Sequence, residues 1–174
     1  MNRDRSRVSR RLLARAAALL GTGLLGLLAA ACAGAFSGSP PGEAIGVADG
    51  RLKPVRSQYW NAVSSFADTD YHRIAPLDAG ADPRASFAEL RRLVADWPGA
   101  RIAGETPGYL HAEFRTPLMR FVDDVEFLLD APAGVIHVRS ASRLGRRDFG
   151  ANRKRVEAIR AQLTSSQTSA GESK

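Results

Sequence analysis

Tyr109-Leu110-His111-Ala112-Glu113-Phe114-Arg115 alternates without a break. Leu110, Ala112 and Phe114 fall on one side, and Tyr109, His111, Glu113 and Arg115 on the other. This is the period of two that sends successive side chains to opposite faces of a strand. Phe121–Asp130 repeats the pattern, with Val125, Phe127 and Leu129 set against Asp124 and Glu126. Ala131-Pro132-Ala133-Gly134 then reads as a turn into a third strand, Val135–Ser142, with Ile136 and Val138 inward.

Helical signals flank these strands. Ser86-Phe87-Ala88-Glu89 is a capping-box pattern that places the N-cap at Ser86. Phe87, Leu90, Val94 and Trp97 then share one helical face, and Pro98-Gly99 ends the run. A closing helix is expected from Ala151 to Leu163, with Val156, Ile159 and Leu163 as its apolar stripe. The fold class is therefore α+β, a three-stranded or slightly larger antiparallel sheet with helices packed on one face.

The apolar positions also fix the register, because a slip of one residue would expose them. A tight turn at 131–134 sets Leu129 opposite Ile136, Phe127 opposite Val138, Leu128 opposite His137 and Glu126 opposite Arg139. The polar face then gathers His111, Glu113, Asp124, Glu126, His137 and Arg139, with Arg115 at its margin. Carboxylates and imidazoles converging from adjacent strands could perform acid–base chemistry, so His111, Glu113, Asp124 and Glu126 are the catalytic candidates. The competing reading is a solvated face laced with cross-strand ion pairs such as Glu126–Arg139, each worth about 0.2–1 kcal/mol. No compact metal-ligand spacing is present, and no cofactor motif. Asp123 falls by parity on the apolar side and needs a hydrogen-bond partner there. Ser64 and Ser65 sit in no Gly-x-Ser-x-Gly or Ser-x-x-Lys setting, and serines after an asparagine suit a turn.

Outward from this domain, composition divides the 174 residues into four stretches. Residues 1–32 carry six arginines and one acid, and Ala16–Ala31 has no charged residue, which reads as an export signal. Leu28-Ala29-Ala30-Ala31-Cys32 resembles a bacterial lipobox whose cysteine becomes acylated. The other readings are ordinary cleavage after Ala29-Ala30-Ala31 and an uncleaved anchor, and neither explains why the only cysteine lies at 32. Ser9-Arg10-Arg11-Leu12-Leu13-Ala14-Arg15 also has the form of a twin-arginine export signal. Residues 33–50 read as a flexible tether, 51–163 as one domain and 164–174 as a disordered tail.

The leader accounts for +5 of the formal net charge of +7, so the folded part lacks the basic surface that duplex binding requires, and nucleic acid is not an expected partner. The local contrast is sharper. Arg139 to Arg160 contains eight basic and two acidic residues. Arginine forks beside a helix start suit anions, which makes Arg139, Arg143, Arg146, Arg147, Arg153, Lys154 and Arg155 the anion-binding candidates. Gly145 and Gly150 lack the Gly-Lys-Ser/Thr of a P-loop.

These segments together resemble a bacterial family known as domain of unknown function 1499. The resemblance rests on Asn61-Ala62-Val63-Ser64-Ser65, on Tyr109–Phe114, on Phe121–Phe127, on Val135–Arg143, and on Asp148-Phe149-Gly150 with Asn152-Arg153-Lys154-Arg155-Val156-Glu157. It spans about residues 54–163. The family often carries a cysteine where this chain has Ala62, so any redox or ligand role of that thiol is absent here. The resemblance implies envelope association and no established activity or cofactor. The expected function is an exported lipoprotein, held in a membrane facing the periplasm or exterior through Cys32. It would act as a non-enzymatic module binding an anionic envelope component or an envelope protein. The alternative is an envelope hydrolase using the His111, Glu113, Asp124 and Glu126 cluster.

Overall fold

A computed structural model describes residues 19–172. The six arginines expected to form an export leader, with the twin-arginine pattern, lie outside the described residues. Residues 19–32 form helix α1, and no helix among the described residues is long and apolar enough to cross a membrane.

The sheet is larger than a three-stranded meander. Strands β5 (Ala100–Thr106), β6 (Tyr109–Arg115), β7 (Val122–Asp130) and β8 (Val135–Ser142) follow one another antiparallel. Two short strands, β3 (Ala62–Ser64) and β4 (Leu77–Asp78), both pair with the free edge of β8, β3 near its C-terminal end and β4 near its start. A separate two-stranded hairpin joins β1 (Val47–Ala48) to β2 (Arg51–Leu52). The register between β7 and β8 is the expected one, with Leu129 opposite Ile136, Phe127 opposite Val138 and Glu126 opposite Arg139.

Two helices cover one face, α2 (Pro83–Ala95) and α3 (Ala151–Glu172). Leu90 and Val94 of α2 and Val156, Ile159 and Leu163 of α3 are buried against Leu110, Ala112, Phe127, Ile136 and Val138. Burial of such aliphatic side chains contributes about 1.5–3 kcal/mol each and is the main stabilising term. Gly99 is forced by close approach: a Cβ there would meet the Arg115 carbonyl oxygen at 2.6 Å, at a φ of +79°.

Helix α2 begins earlier than the capping-box pattern predicts. Asp82 is its N-cap, accepting from the Arg84 and Ala85 amides, and Pro83 occupies the first turn. Ser86 is instead buried and accepts from Gln167 Nε2 at 3.1 Å. That contact also corrects the tail: α3 continues past Leu163 to Glu172, and Gln167 fastens it to Ser86 and to the Asp78 carbonyl. Residues 33–50 do not hang free either. Phe36 packs on the Phe121 ring at 5.7 Å, and the Gly46 amide donates to Glu126 Oε1 at 2.6 Å, drawing this segment over the face opposite the helices.

Candidate functional site

The expected polar cluster forms, and it is buried rather than solvated. The register places His111 opposite Glu126, Glu113 opposite Asp124, and Glu126 opposite Arg139. Glu126 is 0% exposed and Asp124 2%. Carboxylates this deep must be paired, and each one is. Glu126 accepts from Arg139 Nη1 at 2.7 Å, the Tyr109 hydroxyl at 2.9 Å and the Gly46 amide. Asp124 accepts from His111 Nε2 at 2.8 Å and twice from Arg143. Glu113 takes Arg143 at 2.7 Å, Arg101 at 2.9 Å and Arg115 at 3.2 Å.

These pairings set the chemistry. Burial pushes Glu113 up, but the hydrogen bonds from Arg143 and Arg101 outweigh it and bring its carboxyl to about 2. Burial likewise opposes ionisation of Asp124, and Arg143 with His111 overcomes it and holds the group below the usual carboxylate range. An acid held this far down has no proton to give near neutrality, and oxygens already engaged by guanidinium forks make poor bases. Tyr109 is pushed up by burial and by Glu126 beside it, which keeps it a hydrogen-bond donor. No group of His, Cys, Asp and Glu able to hold a metal ion occurs among the described residues.

Asp123, on the apolar side as its parity requires, pairs with Arg155 from the first turns of α3. His137 stacks on Phe66 at 4.1 Å, and burial pushes its imidazole down. Ser65 Oγ lies 3.2 Å from His137 Nδ1, while Asp130 stands 3.8 Å from Nε2. That row does not make a nucleophile. Ser65 Oγ also accepts the Val138 amide at 3.0 Å, stitching β3 to β8, and the carboxylate is beyond hydrogen-bond reach.

The seven anion-binding candidates separate into those that meet carboxylates and those that do not. Arg139, Arg143 and Arg155 are spent on internal carboxylates. Arg153 donates to the Tyr71 and Arg73 carbonyls, while Arg146, Arg147 and Lys154 have no carboxylate partner among the described residues. Arg147 lies over the Trp60 ring at 4.3 Å and Arg146 over Tyr59 at 5.9 Å. Between these groups, Asp148 caps α3 through the Gly150 and Asn152 amides, and fully buried Asn152 ties α3 to Ser140, Ser142 and Asn61.

A family model described as protein of unknown function (DUF1499) matches residues 55–163. The chain belongs to that family. The match takes in β3 to β8, the buried ion lattice and α3 as far as Leu163. No curated protein and no solved structure matches the chain. In this DUF1499 protein a cavity of about 490 Å³ lies on the polar side of the sheet. Its floor, with Ala62, Asp124, Arg139 and Arg143, falls inside the matched residues, whereas its roof, Ser39 to Ile45 with Lys53 and Pro54, falls before them. The sequence reading missed Lys53, Arg56 and Tyr59, which line it. They lie in no recognisable motif, and only the folding of 33–50 over the sheet brings them to one place.

Proposed function

We propose that this protein is an exported, lipid-anchored envelope module, attached through Cys32, that rests a basic and aromatic face on an anionic membrane surface. One observation carries the reading. Phe149 is 89% exposed beside Arg146 and Arg147, two cations without carboxylate partners, and half-exposed Trp60 completes the patch. An apolar tip ringed by arginines and an indole suits the headgroup region, where the ring is buried and the cations meet anionic lipid. The anchor supports the same orientation. Gly38, six residues beyond Cys32, packs so closely that a Cβ would lie 2.8 Å from Arg143 Cβ and 3.1 Å from Leu144 Cγ. This contact holds residue 38 against the start of the 143–149 loop, which supports a lipid on Cys32 lying on that side. The hydrolase alternative has less support, since the carboxylates it needs are occupied by arginines.

The test is made on the full chain expressed in a bacterial host. Metabolic labelling with an alkyne fatty acid should mark the protein and should not mark Cys32→Ala. Purified Cys32→Ala protein should bind phosphatidylglycerol vesicles and ignore phosphatidylcholine vesicles. Each arginine near such a surface is worth about 1 kcal/mol, so Arg146→Glu with Arg147→Glu should weaken that binding by roughly thirtyfold or more. Equal binding to both vesicle types, or no change on charge reversal, would rule the docking face out.

A further inference from the structure

The buried lattice leaves one cation unfinished. Arg139, from the middle of β8, is 5% exposed and forms part of the cavity wall. Glu126 takes its Nη1, and its Nε is buried without any hydrogen-bond partner, the one such side-chain atom among the described residues. An orphaned guanidinium N–H inside a protein costs about 1–3 kcal/mol, more when charged. Nη2 carries no hydrogen bond to a protein group either, and its N–H groups are the donors left for a ligand in the cavity.

The rest of the wall suits the same ligand. Lys53 and Arg56 reach it from the segment before β3, and Arg143 from the loop after β8, so four cations line it against Glu43 and Asp124. Asp124 is already matched by Arg143 and His111. Lys53 uses one donor on the Glu43 carbonyl, 2.6 Å away, and keeps two for another acceptor. Arg56 has no ion-pair partner among the described residues. Tyr59, Pro41 and Ile45 supply apolar wall beside these charges. The volume is larger than a bare ion requires and falls in the range of small-molecule sites.

We infer that this cavity binds a phosphate group, with Arg139 meeting it through the Nη2 that Glu126 leaves unpaired and with Lys53 and Arg56 closing over the remaining charge. The chemistry is shared by free phosphate and by a small phosphate monoester. This inference does not rest on the membrane reading, because it uses different cations, although the cavity and the 143–149 loop share Leu144 and Gly145.

Isothermal titration of the full chain in detergent with inorganic phosphate, glycerol 3-phosphate and glycerol tests it. Both phosphates should bind and glycerol should not. An ester that binds about tenfold tighter marks an organic monoester as the ligand, and equal affinities mark the free ion. Arg139→Lys keeps a charge beside Glu126 but removes the planar guanidinium that can hold Glu126 and a ligand at once, and should weaken phosphate binding at least about tenfold. Arg56→Gln, at an exposed position, should weaken it severalfold and guards against a misfolded Arg139 variant. No binding up to about 10 mM of either phosphate overturns the proposal. So does affinity that ignores both variants, or affinity that follows Arg146→Glu with Arg147→Glu instead.

Discussion

Arg143 grips Asp124 by two hydrogen bonds, Nε to Oδ2 and Nη2 to Oδ1, each 2.8 Å, and the same Nη2 reaches Glu113 at 2.7 Å. One guanidinium from the loop after β8 thus neutralises carboxylates on both β6 and β7. Only an arginine spans two acids in this way, since its donors lie in a fixed plane.

Removing it should therefore cost far more than a surface ion pair. Arg143→Ala leaves two buried carboxylates short of charge and should lose about 3–5 kcal/mol of stability. Arg143→Lys should recover only part of that, because a point charge cannot bridge both acids. Urea unfolding at neutral pH reads both values. A loss within the range of exposed pairs, about 0–1 kcal/mol, would show that the lattice is not the keystone of this face.

Acid should weaken the same lattice. The Glu113 carboxyl falls from an ordinary 4.5 to about 2 on folding, and Asp124 shifts in the same direction. A carboxyl depressed by folding adds stability that is complete above its unfolded value and is lost as pH falls through the folded one. The urea midpoint should drop as pH goes from 4.5 towards 2, and Glu113→Gln should flatten that slope while lowering stability at neutral pH. A midpoint that rises over this window would reverse the sign and remove the argument.

How much of this was legible in the sequence depended on the range over which each signal acts. Strict alternation in β6, a near match in β7 and the turn into β8 gave three strands and their register down to Glu126 opposite Arg139, because the apolar positions of each point to one face. Strand β5 escaped: it is an edge strand with a bulge between Ile102 and Gly104, and only Ala100 and Ile102 of it pack against the core. The polar face was named correctly and misjudged in burial, since nothing in Glu113 or Asp124 themselves announces that residues 33–50 fold across them. Arg143 and Lys53 illustrate the same limit. Their charge is visible in the chain, but their partners are set by contacts between segments far apart in sequence.

Asn152 should behave as a structural hub rather than a helix residue. It accepts from Ser140 Oγ and donates from Nδ2 to the Asn61 carbonyl, Ser142 Oγ and Asp148 Oδ2, all within 2.9 Å. Asn152→Leu has similar bulk and no polar atoms, so several buried groups lose a partner and stability should fall by at least about 2 kcal/mol. Asp148→Ala removes the cap of the same helix and should cost about 1–2 kcal/mol. Because the two side chains bond each other, the double variant should lose less than the two single losses added together. Additive losses in a double-mutant cycle would show that they act independently.

Phe149 separates stability from function most cleanly. Its backbone sits at φ +54°, a left-handed conformation unusual for a bulky residue, and its ring is 89% exposed. That conformation costs about 1–2 kcal/mol for a residue with a Cβ, and an exposed ring returns almost nothing in packing. Glycine removes the strain and adds backbone entropy to the unfolded chain, so Phe149→Gly should leave stability unchanged or raise it by up to about 1 kcal/mol. If the ring is held out to enter a lipid headgroup layer, the same substitution should weaken phosphatidylglycerol-vesicle binding of the Cys32→Ala protein severalfold. Thermal unfolding and vesicle sedimentation on one preparation decide the matter. A variant that melts lower but binds vesicles as before would assign Phe149 to the fold and remove it from the proposed docking face.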